Sequence, residues 1–321
     1  MTGDDRGGDW ARYWRADQPS GPVEAMHAHF RSHVYHRHSH ETYSFGVTDD
    51  GAQAFTCRGD QHVSTANMVM LFNPDDPHDG HAATGPGFTY RMIHIAPDLV
   101  RELFHGAGKP LFPTPVVDDP ELAHRLRQLH TALTTSPGSL GSPRSQSSPS
   151  SQDPPDPPSS LQQHEPAKAP VPLRQHQLLS SPTSLQQHEQ LTATSLLLAR
   201  HATRATLIPP GSPASALIAS RVRAMLHDAY ASPLTADELA AAAGCSRFTA
   251  TRAFTTVYGL APSDYQRQLR LRAARSLLTG GATAAEAAAC AGFADQAHLT
   301  RWFRRCYGVT PGAYRQAVGS R

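Results

Sequence analysis

The chain has 321 residues, enough for two domains of ordinary size, and a formal net charge of only +2. That charge is unevenly distributed, because residues 214–321 contain 13 arginines, no lysine and six acidic residues, which makes this part +7 and the remainder net acidic. No apolar run approaches the roughly 18 residues of a membrane span and the N-terminus does not resemble a signal peptide, so we expect a cytoplasmic protein without membrane contacts.

Short alternating segments separated by turns dominate residues 23–96. Tyr43, Phe45 and Val47 share one strand face, and residues 68–72 form a continuous apolar strand that ends at an Asn-Pro turn. Tyr90, Met92 and His94 alternate again. Many short strands with Gly and Pro turns are typical of an all-β barrel or jelly roll.

Histidines are concentrated in this β-rich region. His38 and His40 are two apart on a strand and therefore point to the same face, a spacing that suits a metal ion. Glu41 follows directly and points to the opposite face, so it is poorly placed as a further ligand. Two interpretations remain, a divalent metal site on His38, His40 and His78 or the polar lining of an effector pocket. We favour the second and expect neither metal nor cofactor.

The middle of the chain differs in composition from both ends. Residues 135–190 are rich in Ser, Pro, Gln and His, which predicts a disordered insert because such a segment cannot bury a core. Helical stripes of leucine flank it at residues 119–133 and 191–204. We interpret residues 119–208 as a helical linker or dimerisation region that carries the insert.

The C-terminal third contains one segment twice, with an offset of 49 residues between matched positions such as Phe254 and Phe303 and of 48 residues between the turn glycines Gly244 and Gly292. Each copy begins with a capping box, Thr-Ala-x-Glu, at Thr235 and Thr283. A short Ala-rich helix, a glycine and a second cap follow, at Ser246 and Asp295. This order predicts two helix-turn-helix units, and a basic domain of this kind is typical of a phosphate binder.

A helix over residues 267–279 is predicted between the two units, and glycines follow it directly. It carries Arg267, Arg270, Arg272 and Arg275. We interpret these four arginines as a solvated helix face.

The motif Phe254…Tyr258-Gly259…Pro262…Tyr265, repeated as Phe303…Tyr307-Gly308…Pro311…Tyr314, resembles the signature of AraC/XylS-type transcription regulators over about residues 221–316. The resemblance implies two helix-turn-helix units joined by one helix. It also implies a cupin-like effector domain, whose His-x-His and Asn-Pro-x-x-x-His patterns match residues 38–40 and 73–78.

The resemblance and helical spacing together nominate individual contacts. The expected DNA-binding residues are Arg247, Phe248, Thr251, Arg252, Gln296, Ala297, Thr300, Arg301, Arg304 and Arg305. Phe248 has an equal interpretation as a core residue, and the arginines at 247, 304 and 305 suit phosphate better than bases. By strand parity, the expected effector-binding residues are His38, His40, Tyr43, Phe45, His78 and Met92.

The sequence thus predicts an α+β multidomain regulator of double-stranded DNA that responds to an unknown small-molecule effector. The predicted architecture is a cupin-like β-barrel over residues 1–118, the helical region with its insert, and an all-α double helix-turn-helix over residues 209–321. RNA polymerase and a second copy of the chain are further candidate partners. Two alternatives stay open, a metal-dependent cupin enzyme fused to a DNA-binding domain, and a regulator whose β-domain only dimerises.

Overall fold

A computed structural model describes residues 8–18, 20–105, 109–135, 182–203 and 211–319. Most of the insert predicted at 135–190 lies outside the described residues. None of the helices in the described ranges combines the length and the hydropathy of a transmembrane segment.

The first half is a β-domain, as expected. Its strands are β1 (Trp10–Gln18), β2 (Gly21–Phe30), β3 (Tyr35–His38), β4 (Tyr43–Cys57), β5 (Asp60–Thr65), β6 (Val69–Phe72), β7 (His78–Ala82), β8 (Phe88–Ile95) and β9 (Val116–Val117). One antiparallel sheet runs β1-β2-β8-β4-β6-β9, and β3 and β5 join through β7 and β4 to form a second. The first strand was not predicted.

The long strand β4 shows how the two faces of the main sheet differ. Its residues Ser44, Phe45 and Gly46 pair with His94, Ile93 and Met92 of β8. Because side chains alternate across a strand, His94 and Met92 point to the interior of the domain, whereas Phe45 and Ile93 point to the opposite face.

The helices of the described residues are α1 (Pro97–Leu103), α2 (Pro120–Thr134), α3 (Pro182–Leu198), α4 (Pro213–Asp228), α5 (Ala236–Ala243), α6 (Arg247–Tyr258), α7 (Pro262–Thr279), α8 (Ala284–Cys290), α9 (Gln296–Tyr307) and α10 (Pro311–Gly319). Helices α2 and α3 pack on each other beside the β-domain, as the leucine stripes predicted. Helix α3 begins at Pro182, so the prediction of a disordered insert was wrong for residues 182–190. Helix α7 begins at Pro262, five residues before the predicted start, because proline is tolerated in the first turn.

The helix-capping motifs of both copies form as predicted. Both capping boxes form, at Thr235 and Thr283, and the caps Ser246 and Asp295 each accept a backbone N–H. Gly292 has φ +80°, and a Cβ there would lie 2.2 Å from the carbonyl oxygen of Ala231. The turn of the second unit therefore packs directly against the loop that follows α4.

Within the part of the chain that the structure describes, three apolar clusters hold the fold together. One covers the outer face of the main sheet with α1, α2 and α3, and another belongs to the first helix-turn-helix unit. The third is continuous from the interior of the β-domain into the second unit, where it includes Phe303, Tyr307 and Tyr314. The second unit thus shares a core with the β-domain.

Candidate functional site

A cavity of about 40 Å³ lies inside the β-domain. Four histidines line it, His38, His40, His78 and His94, together with apolar side chains such as Met92 and Phe72. Arg275 of α7 and Cys306 and Tyr307 of α9 complete the wall. The cavity is therefore built jointly by the β-domain and the helical half of the chain.

Three of these histidines form a compact group. The nearest ring nitrogens of His38, His40 and His78 all lie within 4.8 Å of one another. Their ring centroids are 4.9 Å apart for His38 and His40, 4.6 Å for His38 and His78, and 5.3 Å for His40 and His78. The three side chains are at most 9% exposed. Strands β3 and β7 bring the group together, because His38 and His78 are direct partners in their register.

Burial keeps these imidazoles neutral. Desolvation lowers the pKa of His38 and His40 well below the usual value, and neighbouring imidazoles add to the effect. Desolvation also lowers the pKa of His78 to about 4 and that of His94 to about 3. At neutral pH the cavity thus presents imidazole lone pairs rather than positive charge.

The effector residues predicted by strand parity separate into two groups. His38, His40, His78 and Met92 line the cavity. Tyr43 and Phe45 do not, because they occupy the outer face of β4 and pack in the cluster with Phe112 and Leu122. That prediction was wrong for these two residues, since the parity of one strand does not reveal which face is covered by helices.

His94 is a lining residue that the prediction omitted. It lies on the same face of β8 as Met92, and its ring centroid is 4.8 Å from that of His40. Its Nδ1 is 2.8 Å from the hydroxyl oxygen of Ser44. The alternation of Tyr90, Met92 and His94 contained the signal that would have identified it.

The predicted DNA contacts lie on two exposed helix faces. All ten are exposed except Thr300, which is half-buried. Phe248 is 72% exposed, which is not the environment of a core residue. Ala250, which lies between the nominated residues of α6, is 2% exposed and belongs to the core of the first unit.

Helix α9 touches the β-domain with a different face. Trp302 packs edge-on against His36, with ring centroids 4.9 Å apart. The guanidinium groups of Arg267 and Arg305 lie 3.7 Å and 5.0 Å from the centre of the Trp302 ring. The contact with β3 thus leaves Gln296, Ala297 and Arg301 exposed.

A buried ionic cluster joins the two halves of the chain. Arg275 of α7 pairs with Glu24 of β2, and both side chains are less than 10% exposed. Tyr314 donates to Glu24 at 3.0 Å, and Arg15 donates to it at 2.9 Å. Burial alone would raise the pKa of Glu24, but the guanidinium groups of Arg275 and Arg15 outweigh it and lower the pKa.

Arg272 makes a second link one turn earlier in α7. It donates to Asp75 at 2.8 Å and to the hydroxyl of Ser39 at 3.0 Å, and it lies 3.2 Å from Glu41. Between this link and the Glu24 cluster lies a cavity of about 220 Å³. The prediction of a solvated arginine face on α7 was therefore wrong for Arg272 and Arg275, because the face that carries them is covered by the β-domain.

The remaining arginines of α7 are also engaged. Arg270 donates to the carbonyl oxygens of Tyr230 and Ser232, at 2.7 Å and 2.8 Å. Arg267 donates to Asp264 in addition to its contact with Trp302. The helix that joins the two units is thus anchored along its length.

Comparisons with known proteins match both halves of the chain. Residues 20–152 match the family described as AraC-like ligand binding domain, and residues 239–317 match a helix-turn-helix domain family. An uncharacterized HTH-type transcriptional regulator of Bacillus subtilis, YbfI, is 25% identical over 82% of this chain and 80% of its own. The transcriptional activator NphR of Rhodococcus is 41% identical over 28% of this chain and 26% of its own.

Solved structures are similar at a lower level. ToxT of Vibrio cholerae is 10% identical, with a TM-score of 0.47, over 97% of this chain and 98% of its own. The DNA-binding domain of AdpA, solved with a target DNA, is 33% identical, with a TM-score of 0.30, over 31% of this chain and 90% of its own.

Proposed function

Because the chain belongs to the AraC-type transcriptional regulators, which combine a ligand-binding domain with a helix-turn-helix DNA-binding domain, we propose how its residues divide that work. Helices α6 and α9 enter the major groove of double-stranded DNA, and a small effector binds inside the β-domain. The divisions at residues 118/119 and at 208/209, the second of which lies outside the described residues, separate the sensor, the helical linker region and the DNA-binding part.

One observation carries the DNA-binding proposal. The ten nominated contacts lie on the same two helices, nine of them are exposed, and the part of the chain that holds them carries +7. Recognition helices of helix-turn-helix proteins present such a face to base edges, and surrounding arginines contact phosphates.

The proposal is tested by selecting duplexes from a random pool with the full chain. Two short conserved blocks about 10 bp apart are expected, because two recognition helices on one side of a duplex enter the major groove at successive turns. A single conserved block would restrict base reading to one unit, and no enrichment would contradict the proposal.

Arg301 is the nominated base reader of α9. Replacing it with alanine is expected to cost about 1–3 kcal/mol of binding and to relax preference at one base position, since a bidentate contact to guanine would be lost. The measurement is a comparison of affinities for the selected duplex and for single-base variants of it. Equal weakening on every duplex would reassign Arg301 to phosphate.

Arg304, nominated as a phosphate contact on the same helix, provides the contrasting variant. Its replacement with alanine is expected to weaken binding equally on all duplexes and to reduce the slope of log affinity against log salt by about one, because one fewer counterion is released. Titrations of the wild type and the variant at several salt concentrations provide the measurement. An unchanged slope would show that Arg304 contacts no phosphate.

The shared wall of the cavity supports control by effector. Arg275 and Tyr307 contact the cavity from the helical half, so an occupant of the cavity interacts directly with the element that positions the second unit. A ligand shifts a conformational equilibrium only through such unequal contacts. A regulator whose β-domain merely dimerises would not need this shared wall.

Further partners follow from the same function. Leu185 and Leu196 are exposed and lie three turns apart on one face of α3, and we propose that this face supports a homodimer.

Contact with RNA polymerase is the proposed route to activation. The relatives named above are regulators, and we propose this role, in the compartment that holds the DNA, rather than an enzymatic one.

A further inference from the structure

We propose that the cavity of the β-domain is a binding site for one divalent transition-metal ion, held by the imidazoles of His38, His40 and His78. Metal binding itself is independent of the proposed function. Only the consequence for DNA binding rests on it.

The spacing of the three rings fits a single ion. Imidazoles bound to one tetrahedral ion, with metal–nitrogen distances of about 2.0–2.1 Å, have ring centres about 5 Å apart. The three observed separations run from 4.6 to 5.3 Å. No large rearrangement of the strands is therefore required to bring the nitrogens onto one ion.

Hydrogen bonds outside the cavity orient two of the rings. Nδ1 of His38 lies 2.7 Å from the carbonyl oxygen of His36, and Nδ1 of His78 lies 2.9 Å from that of Asp76. A carbonyl can only accept, so Nδ1 carries the proton in both rings and Nε2 keeps its lone pair. This backbone contact is the outer support that metal-binding histidines typically have.

The ring nitrogens of the third histidine, His40, have no hydrogen-bond partner among the described residues, although the ring is surrounded by His38, His78 and His94. Three neutral nitrogen donors thus face one another without a polar partner from the protein. Such a group costs free energy unless something in the cavity binds to it.

The size of the cavity suits an ion. Its volume of about 40 Å³ accommodates an ion with a coordinated water, since a water needs roughly 10–15 Å³. An ion therefore fits this cavity without expansion of its walls.

The chemistry of the donors selects the kind of ion. The group contains imidazole nitrogens and neither carboxylate nor thiolate, and such a set favours Zn²⁺, Co²⁺, Ni²⁺ or Cu²⁺ over Mg²⁺ or Ca²⁺. The ring of Tyr307 lies 6.5 Å from that of His40, and Arg275 lines the same cavity. A bound dication would become the largest local charge beside Arg275, so we expect it to alter the seating of the second helix-turn-helix unit and hence DNA affinity.

The test uses the full chain, stripped of metal with a chelator and then titrated with Co²⁺. We expect one ion per chain, a d–d absorption typical of tetrahedral nitrogen ligation without thiolate charge transfer, displacement by Zn²⁺, and a metal-dependent rise in Tm. The wild-type spectrum answers the question even where a variant fails to fold. A lack of saturable binding, or ligation by cysteine thiolate, would overturn the proposal.

Two variants of strand β7 provide a matched pair. His78→Gln is expected to weaken Co²⁺ binding tenfold or more, whereas His81→Gln, three residues away and exposed, is expected to bind as the wild type does. Equal binding by both variants would overturn the assignment.

Duplex selection by the metal-free chain distinguishes the metal-site proposal from the DNA-binding proposal. Normal selection without metal binding contradicts only the metal site. Metal binding without selection contradicts only the DNA-binding proposal.

Discussion

Replacing Glu24 with glutamine is expected to destabilise the full chain by about 3–5 kcal/mol, because it leaves the buried guanidinium of Arg275 without its counter-charge. Both side chains are nearly inaccessible to water, and Tyr314 and Arg15 complete the cluster around the carboxylate. The measurement is urea denaturation of the wild type and the variant. A loss below about 1 kcal/mol would mean that water reaches Arg275 readily.

Two further variants isolate the buried pair. The exposed pair between Arg200 and Glu121 provides the control, and Glu121→Gln should leave stability unchanged within error. The double variant Glu24→Met/Arg275→Met should recover most of the lost stability, since apolar replacements of similar size remove both desolvation costs. Failure of the double variant to recover would assign the loss to packing around Tyr314.

The same pair predicts an acid response. The pKa of Glu24 is held below its usual value of 4.5 by the guanidinium groups of Arg275 and Arg15 despite burial. A carboxylate with a lowered pKa contributes stability that is complete above its unfolded pKa and is lost as pH falls through the folded pKa. The wild type should therefore lose stability below about pH 4.5 more steeply than Glu24→Gln does.

Replacing Gly292 with alanine is expected to cost about 2–5 kcal/mol, from a left-handed backbone and overpacking against a carbonyl. Gly292 has φ +80°, and the new Cβ would lie 2.2 Å from the oxygen of Ala231, which belongs to backbone and cannot rotate away. Since this contact sets the turn of the second unit against the loop after α4, DNA affinity should fall as well. Urea denaturation and titration of the selected duplex measure the two effects.

Gly312 is the matched control for this substitution. It lies in α10, where an added Cβ would meet nothing within 4 Å and φ is not positive. Gly312→Ala should leave DNA binding unchanged and stabilise the chain by about 0.4–1 kcal/mol through the unfolded state. If both glycine variants behaved alike, the close approach at Ala231 would have no energetic consequence.

The helix boundaries of the DNA-binding half were predictable because their signals are local. A Thr-x-x-Glu capping box, a left-handed glycine and a first-turn proline each act within four residues of their own position. Helix α9 begins and ends where its cap Asp295 and its glycine Gly308 predicted. The start of α7 was placed at residue 267, although Pro262 carries the first-turn signal for the start five residues earlier.

The cavity was only partly predictable from the sequence. Alternation predicted that His38 and His40 share one face of a strand. Both line the cavity, but β3 ends at His38 and His40 lies in the loop after it, so the tertiary fold rather than strand alternation brings the two rings together. Alternation within a strand cannot say which face of a sheet the helices cover, and this is why Tyr43 and Phe45 were assigned to the wrong side. His94 belonged to the cavity by the same parity as Met92 and was omitted.

The sequence by itself determined what depends on neighbours along the chain: helix caps, turns, strand alternation, the repeat and the charge of the C-terminal third. Only the tertiary structure decided how the halves meet. In the sequence, the arginines of α7 have the spacing of a solvated helix face. In the structure, Arg272 and Arg275 are covered by the β-domain. Their partners Glu24, Glu41 and Asp75 come from strands and turns about 200 residues or more away. Long-range partners of this kind leave no periodic signal, since the energy of a buried ion pair depends on three-dimensional proximity and desolvation rather than on local sequence.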